Sequence, residues 1–308
     1  MLAAAVTVVG CAAVVYVTEP HLPYWVYRCV EGADSKIACL RGEPTTFRTT
    51  TLGITYDGTT EDWIDKRVLV FGAFEKSEMF FLRDVSSGGI FVDVGAHKGL
   101  YSAFMSKYQK EVHAFEPYEP VLKQFRALVA RNGLRNIVIH SVGLGDKRAR
   151  VTFEKPGTHN LGLGSFTFVS KQGAHEELEI LTGDEALREA GIAEVDLIKM
   201  DIEGFELPAL RGLAETLARS RPIVLFEMTL AEANRHMLFQ SMDQVSKTFP
   251  PGYKFLVFKD RDPYTGAYEL VPLAGSANFA SRFEQHNVVA FPAEKEKRIS
   301  LKGPVRTE

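Results

Sequence analysis

Gly89-Ile90-Phe91-Val92-Asp93-Val94-Gly95-Ala96-His97-Lys98-Gly99 is the stretch that decides the fold. Gly89 to Val94 is a short apolar run with one acid in it, and Gly95 ends it. A run this short with glycine at its exit reads as a buried strand. Gly95 and Gly99 permit a tight turn and close approach of a ligand to the backbone. Gly99 to Lys107 then reads as a helix, with unsatisfied N–H groups at its start. The spacing is DxGxxxG. The GxGxxG of a dinucleotide fold is missing, which disfavours a nucleotide-dependent oxidoreductase. Asp93, two residues ahead of the first glycine, is placed to hold a ligand's ammonium group. The plainer alternative is an ordinary strand-to-helix turn.

Outward from this segment the pattern alternates. Strands are expected at Glu111–Phe115, Asn136–His140, Val195–Met200, Ile223–Phe226, Tyr253–Phe258 and Asn287–Phe291. Helices are expected at Glu119–Arg131, Pro208–Arg219 and Thr229–Phe249. The first of these carries Val121, Leu122, Phe125, Leu128 and Val129 on one stripe and ends in Asn132-Gly133. Upstream, Thr50–Tyr56 and Arg67–Phe71 read as short β segments, and the charged segment Glu294–Glu308 is expected to fray. Strands separated by helices imply parallel crossovers and a doubly wound sheet covered on both faces. Ligands then bind beyond the carboxyl ends of the strands, at the switch point.

The chain has 308 residues, with 36 Lys+Arg against 39 Asp+Glu, a formal charge of −3, 45% apolar and 24% charged residues. That composition excludes a mainly disordered chain. Three Cys in this length exclude a disulfide-dense mini-domain. The acidic balance disfavours nucleic acid as a partner, since no basic excess exists to release counterions. Met1 to Val17 is an uncharged apolar run at the short limit for a membrane span. It reads as a membrane anchor or as a small-residue helix buried against protein. It lacks the basic n-region of a signal peptide. Cys11, Cys29 and Cys39 all lie near this end. Cys29 and Cys39 would pair only in an oxidising compartment, and no CxxC spacing supports metal ligation.

The other strand ends carry further polar residues. Glu116 lies 21 positions after Gly95, where a carboxylate can accept both hydroxyls of a ribose. It could also simply stabilise a helix start. Val142-Gly143-Leu144-Gly145-Asp146 follows the third strand, beside an adenine-sized slot. Asp146 could accept from an exocyclic amine there, or serve as a turn residue. The fourth strand runs into Lys199-Met200-Asp201-Ile202-Glu203-Gly204-Phe205-Glu206. Strand alternation carried through this stretch turns Lys199, Asp201 and Glu203 one way. Such buried charges either tune one another for acid–base work or form a structural ion pair. Glu227 ends the fifth strand. The loop Gly157–Ser165, with His159 and Asn160, reads as a lid over an acceptor or as an exposed hairpin.

Four segments together resemble the FkbM family of S-adenosylmethionine-dependent methyltransferases: 91–99, Ala114-Phe115-Glu116-Pro117, 196–206 and 221–227. The likeness runs from about Gly53 to Met228. It implies a class I methyltransferase fold, a Rossmann-like α/β sheet of seven strands with the last antiparallel, preceded by an N-terminal extension. The domains expected are a hydrophobic helix at 1–20, an extension with β segments at 21–85, the methyltransferase domain at 86–292 and a tail at 293–308. The resemblance implies S-adenosylmethionine as cofactor and methylation of a hydroxyl on a small molecule, sugar or lipid-linked glycan. Asp93, Gly95, Ala96, His97 and Gly99 would cradle the methionine part, Glu116 the ribose, and Gly143 and Asp146 the adenine. Asp201 would be the base, with Glu203 behind it and Lys199 as its orienting partner. His159, Asn160 and Glu227 would meet the acceptor. His97 stands where the family more often has Asn; it could relay a proton, bind a metal or hydrogen-bond the loop. No dense ligand cluster is spelled out in the sequence, so no metal is assigned. The cofactor implied is cytosolic, which places the catalytic domain in the cytoplasm, held at a membrane if residues 1–17 anchor it. The competing reading is a non-catalytic methyltransferase fold acting as a membrane-associated binding partner.

Overall fold

The computed structural model describes residues 46–156, 174–229, 238–239, 241–273 and 285–303. The apolar run 1–17, the three Cys, His159, Asn160 and the 157–165 loop lie outside the described residues. The chain divides into two compact units, with the boundary between Phe74 and Glu75.

The described part of the first unit is an antiparallel hairpin, β1 (Thr46–Thr51) and β2 (Ile54–Thr59), followed by helix α1 (Trp63–Phe71). Asp62 caps the helix by accepting from the Asp65 amide at 3.0 Å, and Gly72 ends it in a left-handed conformation. Arg67–Phe71 is therefore helical, not the β segment expected from its apolar run. Two caps outweigh the strand propensity of five residues. Asp65 ties helix to hairpin, accepting from Tyr56 Oη at 2.6 Å and from the Thr59 amide at 2.8 Å.

The second unit begins with α2 (Lys76–Asp84), β3 (Ile90–Val94), α3 (Leu100–Met105), β4 (Glu111–Phe115), α4 (Glu119–Arg131) and β5 (Ile137–His140). A small sheet follows, β6 (Gly143–Gly145), β7 (Ala149–Glu154) and β8 (His175–Thr182), ordered β6-β8-β7. Then come α5 (Gly183–Glu189), β9 (Leu197–Met200), α6 (Glu206–Arg211), α7 (Ala214–Ser220), β10 (Ile223–Thr229), α8 (Met242–Thr248), β11 (Tyr253–Arg261), β12 (Tyr268–Pro272) and β13 (Gln285–Pro292).

The main sheet is ordered β12-β11-β13-β10-β9-β3-β4-β5. Its strands from β5 to β10 are parallel, and β13, the last in the chain, runs antiparallel to both its neighbours. That is the class I methyltransferase sheet. It has one strand more than expected, because β11 turns back into the edge strand β12. The chain winds outward from β3 through β4 to β5, then returns to place β9 on the other side of β3. The switch point lies between β3 and β9.

One face of the sheet packs Val92, Val94, Ile198, Met200, Val224 and Phe226 against Leu207, Leu210 and Leu213, all buried. The stripe of α4 seats the fully buried Phe125 against Ala96 and Ala114, which contributes on the order of 2–3 kcal/mol. Two expected elements differ. The long helix over Thr229–Phe249 is not formed as such. Strand β10 continues to Thr229, and the described helix starts only at Met242, capped by Ser241. The C-terminal segment is docked, not frayed, as far as Gly303. A 3-10 turn over Ala293–Arg298 presents Arg298, whose guanidinium grips both carboxylate oxygens of Asp196 at 2.7 and 2.9 Å and donates to the Val85 carbonyl. Arg298→Ala is expected to lower stability by about 2 kcal/mol, read as a fall in urea midpoint. An unchanged midpoint would show that the clamp contributes nothing.

Candidate active site

Register places the charges. Asp93 on β3 pairs with Lys199 on β9, Lys199 with Leu225 on β10, and Glu227 on β10 with Asn287 on β13. Paired residues share a face, and residues two apart on one strand share it too. Asp93, Lys199, Glu227 and Asn287 therefore line one face at the carboxyl edge, and Asp201, just past the end of β9, joins them through its contact with Lys199. This is the side covered by α3 and the start of α2.

Asp93 is fully buried. Its Oδ2 accepts from Ser102 Oγ at 2.6 Å, and its Oδ1, with no hydrogen-bond donor, lies 3.9 Å from Lys199 Nζ. The Lys199 ammonium also reaches Asp201 Oδ2 at 3.4 Å, donates to the Gly95 carbonyl at 3.3 Å and lies 5.0 Å from the Tyr101 ring centre. Burial alone would strip Lys199 of its proton, but Asp201, Asp93 and Glu75 together raise its pKa. At Asp93 burial wins and the pKa rises despite Lys199. The Lys199 ammonium is therefore shared among several carboxylates, of which Asp93 is the most deeply buried.

The glycine loop is stitched to β4. Gly95 and Ala96 donate to the Phe115 carbonyl at 2.9 and 3.1 Å. His97, at φ 51°, donates its amide to Glu116 Oε2 at 3.0 Å, and Tyr118 donates to Glu116 Oε1 at 2.9 Å. Each carboxylate oxygen still has a free lone-pair direction for a ligand hydroxyl. Burial pushes Glu116 up to about 7, against the pull of the two amides. Gly143 lies buried in β6, where a side chain would collide with Ile180. Asp146 is exposed on the turn after β6, in keeping with the turn reading.

Glu203 needs a correction. Alternation does not carry to it, because β9 ends at Met200 and Glu203 sits in a left-handed turn at φ 53°, followed by Gly204 at φ 90°. It still belongs to the acidic group: burial first, then Asp201 and Glu206, push it up to about 8. Glu227 is raised further by burial and by the same carboxylates. The structure also adds residues that the strand-end reading left out. Glu206 is buried at the start of α6. Glu75 accepts from Tyr101 Oη at 2.9 Å and from Asn287 Nδ2 at 2.8 Å. Asp201, Glu206 and Glu227 offer carboxylate oxygens within 4.8 Å of one another, close enough to hold a divalent ion. Their spacing hid this, since the three sit on different elements. Glu206 closes the charged stretch that follows β9 in the sequence; Ser102, inside α3, Glu75 and Asn287 gave no signal.

A doubly wound sheet with a glycine loop after its first parallel strand, an acid after the second and an acid–lysine row at the switch point defines a class I methyltransferase. The sequence model described as the methyltransferase FkbM domain matches residues 93–249, half of the chain. The chain belongs to that family. It is 29% identical over 142 residues to Methyltransferase 1 of Beauveria bassiana, covering 40% of this chain and 57% of that one. It is 25% identical over 174 residues to the AMB antimetabolite synthetase AmbE of Pseudomonas aeruginosa, covering 44% of this chain and 8% of that protein. The chain thus spans less than two thirds of these curated relatives. The solved FkbM methyltransferase of Methylobacillus flagellatus KT aligns at 17% identity and a TM-score of 0.45, over 70% of this chain and 47% of that one. Among the described residues no helix is long and apolar enough to cross a membrane.

Proposed function

We propose that this chain is an S-adenosylmethionine-dependent O-methyltransferase acting on a hydroxyl of a sugar or other polyhydroxylated acceptor. The observation that carries the reading is Asp201, partly exposed at the switch point and 3.4 Å from a buried lysine. The cofactor, when bound, supplies an electrophilic methyl group on a sulfonium. The residues present fit it. Glu116 accepts one backbone amide on each carboxylate oxygen and keeps lone pairs for ribose hydroxyls. Asp93 Oδ1 has no hydrogen-bond donor and faces the Lys199 ammonium at 3.9 Å beneath the loop. Asp201 takes the acceptor's hydroxyl proton as the oxygen attacks. Lys199 holds the carboxylate in place and stabilises the charge that gathers on the acceptor oxygen. Glu203 and Glu227, held protonated by burial and by neighbouring carboxylates, offer hydrogen bonds to a neutral polyhydroxylated acceptor.

Calorimetric titration of the full chain with S-adenosylhomocysteine tests the cofactor, with Glu116→Ala as the variant that loses it and NAD as the comparison. Ribose hydroxyls donate best to an ionised carboxylate. With Glu116 near 7, affinity should strengthen about tenfold between pH 6 and pH 8 and lose that slope in Glu116→Gln. The same slope in the Gln variant would remove Glu116 from the ribose. Absence of binding by folded protein would favour the non-catalytic alternative.

One observation favours a second reading of the same carboxylates. The proximity of Asp201, Glu206 and Glu227 suits a divalent cation that orients two acceptor oxygens. Turnover abolished by a chelator and restored by magnesium would establish it.

A further inference from the structure

Glu206 makes backbone contacts that neither an acidic cluster nor a metal site requires. It is 2% exposed. Its Oε1 accepts from the Ile202 amide at 2.8 Å, and the amides of Gly204 and of Glu206 itself also face its carboxylate. The segment between β9 and α6 needs such support. It holds two successive residues at positive φ, Glu203 at 53° and Gly204 at 90°. A non-glycine residue in that region costs about 1–2 kcal/mol and persists only where its surroundings hold it. Turns of this kind gather N–H groups on one side, and here a carboxylate fills that side. Asp201 precedes the turn and Glu203 lies within it.

We propose that Glu206 is a positioning residue. By accepting the Ile202 amide it fixes the 201–205 turn, and so sets where Asp201 and Glu203 stand at the sheet edge. The inference rests on the reading of Asp201 as the acceptor's base. It differs from two other roles for Glu206. A mere filler of buried space would be replaced by leucine without consequence. A metal ligand would need its negative charge, whereas a backbone acceptor needs only an oxygen in the same place. Glutamine keeps that oxygen and loses the charge.

The test compares Glu206→Gln, Glu206→Leu and Asp201→Asn in the full chain. The first readout is amide hydrogen exchange at Ile202 and Gly204. The second is turnover of S-adenosylmethionine with a panel of neutral sugars and polyols, alongside S-adenosylhomocysteine affinity. Glu206→Gln should keep slow exchange at Ile202 and retain far more turnover than Glu206→Leu. Glu206→Leu should lose the protection at Ile202 and lower kcat roughly 100-fold, the cost of misplacing a reacting group by about 1 Å, with cofactor affinity unchanged. Retained Ile202 protection in the Leu variant would overturn the proposal. A Gln variant as impaired as Leu would also overturn it, in favour of the charge. If the Leu variant fails to fold, loss of Ile202 protection in the Gln variant, which keeps the accepting oxygen, overturns the proposal on its own. If Asp201→Asn leaves turnover intact, the base reading falls, while the exchange data still settle the role of Glu206.

Discussion

Asp201→Asn is expected to lower kcat for methyl transfer by about 10²–10⁴-fold and to leave S-adenosylhomocysteine affinity near wild type. Four carboxylates lie near enough to be considered as the base, and their surroundings separate them. Burial and neighbouring carboxylates lift Glu203 to about 8 and raise Glu227 further. Both keep their protons at neutral pH and can donate a hydrogen bond but not take a proton. Asp93 is fully buried and cannot meet an acceptor. Asp201 is 27% exposed, with the Lys199 ammonium 3.4 Å away, so it combines access with a cationic partner. Asparagine preserves its volume and leaves an oxygen facing Lys199, yet cannot accept the proton. The effect should therefore fall on kcat and not on cofactor binding. Glu203→Gln, by contrast, should reduce turnover much less, because it replaces a group that is already neutral. Equal losses in the two variants would spread the proton-accepting role over the cluster. A chelator that abolishes wild-type turnover would transfer the role of Asp201 from base to metal ligand.

The sheet was legible because its strands are short, apolar and ended by residues that cannot continue them. The strand read over Gly89–Val94 starts one residue later, at Ile90, and Glu111–Phe115 before Glu116-Pro117 stands where it was read. Asp93 and Lys199 were legible for the same reason: a charged residue inside a buried strand has to face something. Glu203 shows the limit of period-two reasoning. Alternation holds only while the strand lasts, and Met200 is its last residue. Arg67–Phe71 shows the limit of composition. Its apolar run lacks a period, and the decisive signals were the caps Asp62 and Gly72 outside it. Glu75 and Asn287 were not legible at all. They meet across more than two hundred positions, and only the antiparallel return of β13 beside β10 brings them together.

Gly95→Ala is expected to destabilise the protein by about 2–5 kcal/mol and to abolish S-adenosylhomocysteine binding. Gly95 sits at φ +76°, and a Cβ there would lie 1.9 Å from the Asp201 carbonyl oxygen and 2.8 Å from Ile202 Cγ2. Neither obstacle can swing away. The Asp201 amide is bonded to the Val94 carbonyl at 3.1 Å, and Ile202 is held from the other side by Glu206. Relief requires β3 and β9 to part at the switch point, where Lys199 donates to the Gly95 carbonyl at 3.3 Å. One methyl group would thus disturb the cofactor loop and the acid–lysine row together. Gly133→Ala is the control. It has a similar φ of +61°, but nothing lies within 4 Å of the added carbon. It should cost only the conformational part, about 1–2 kcal/mol, with cofactor affinity unchanged. Urea unfolding and calorimetry on the two variants separate the contributions. Equal destabilisation would mean that backbone conformation, and not the contact between the two strand ends, makes glycine necessary at position 95.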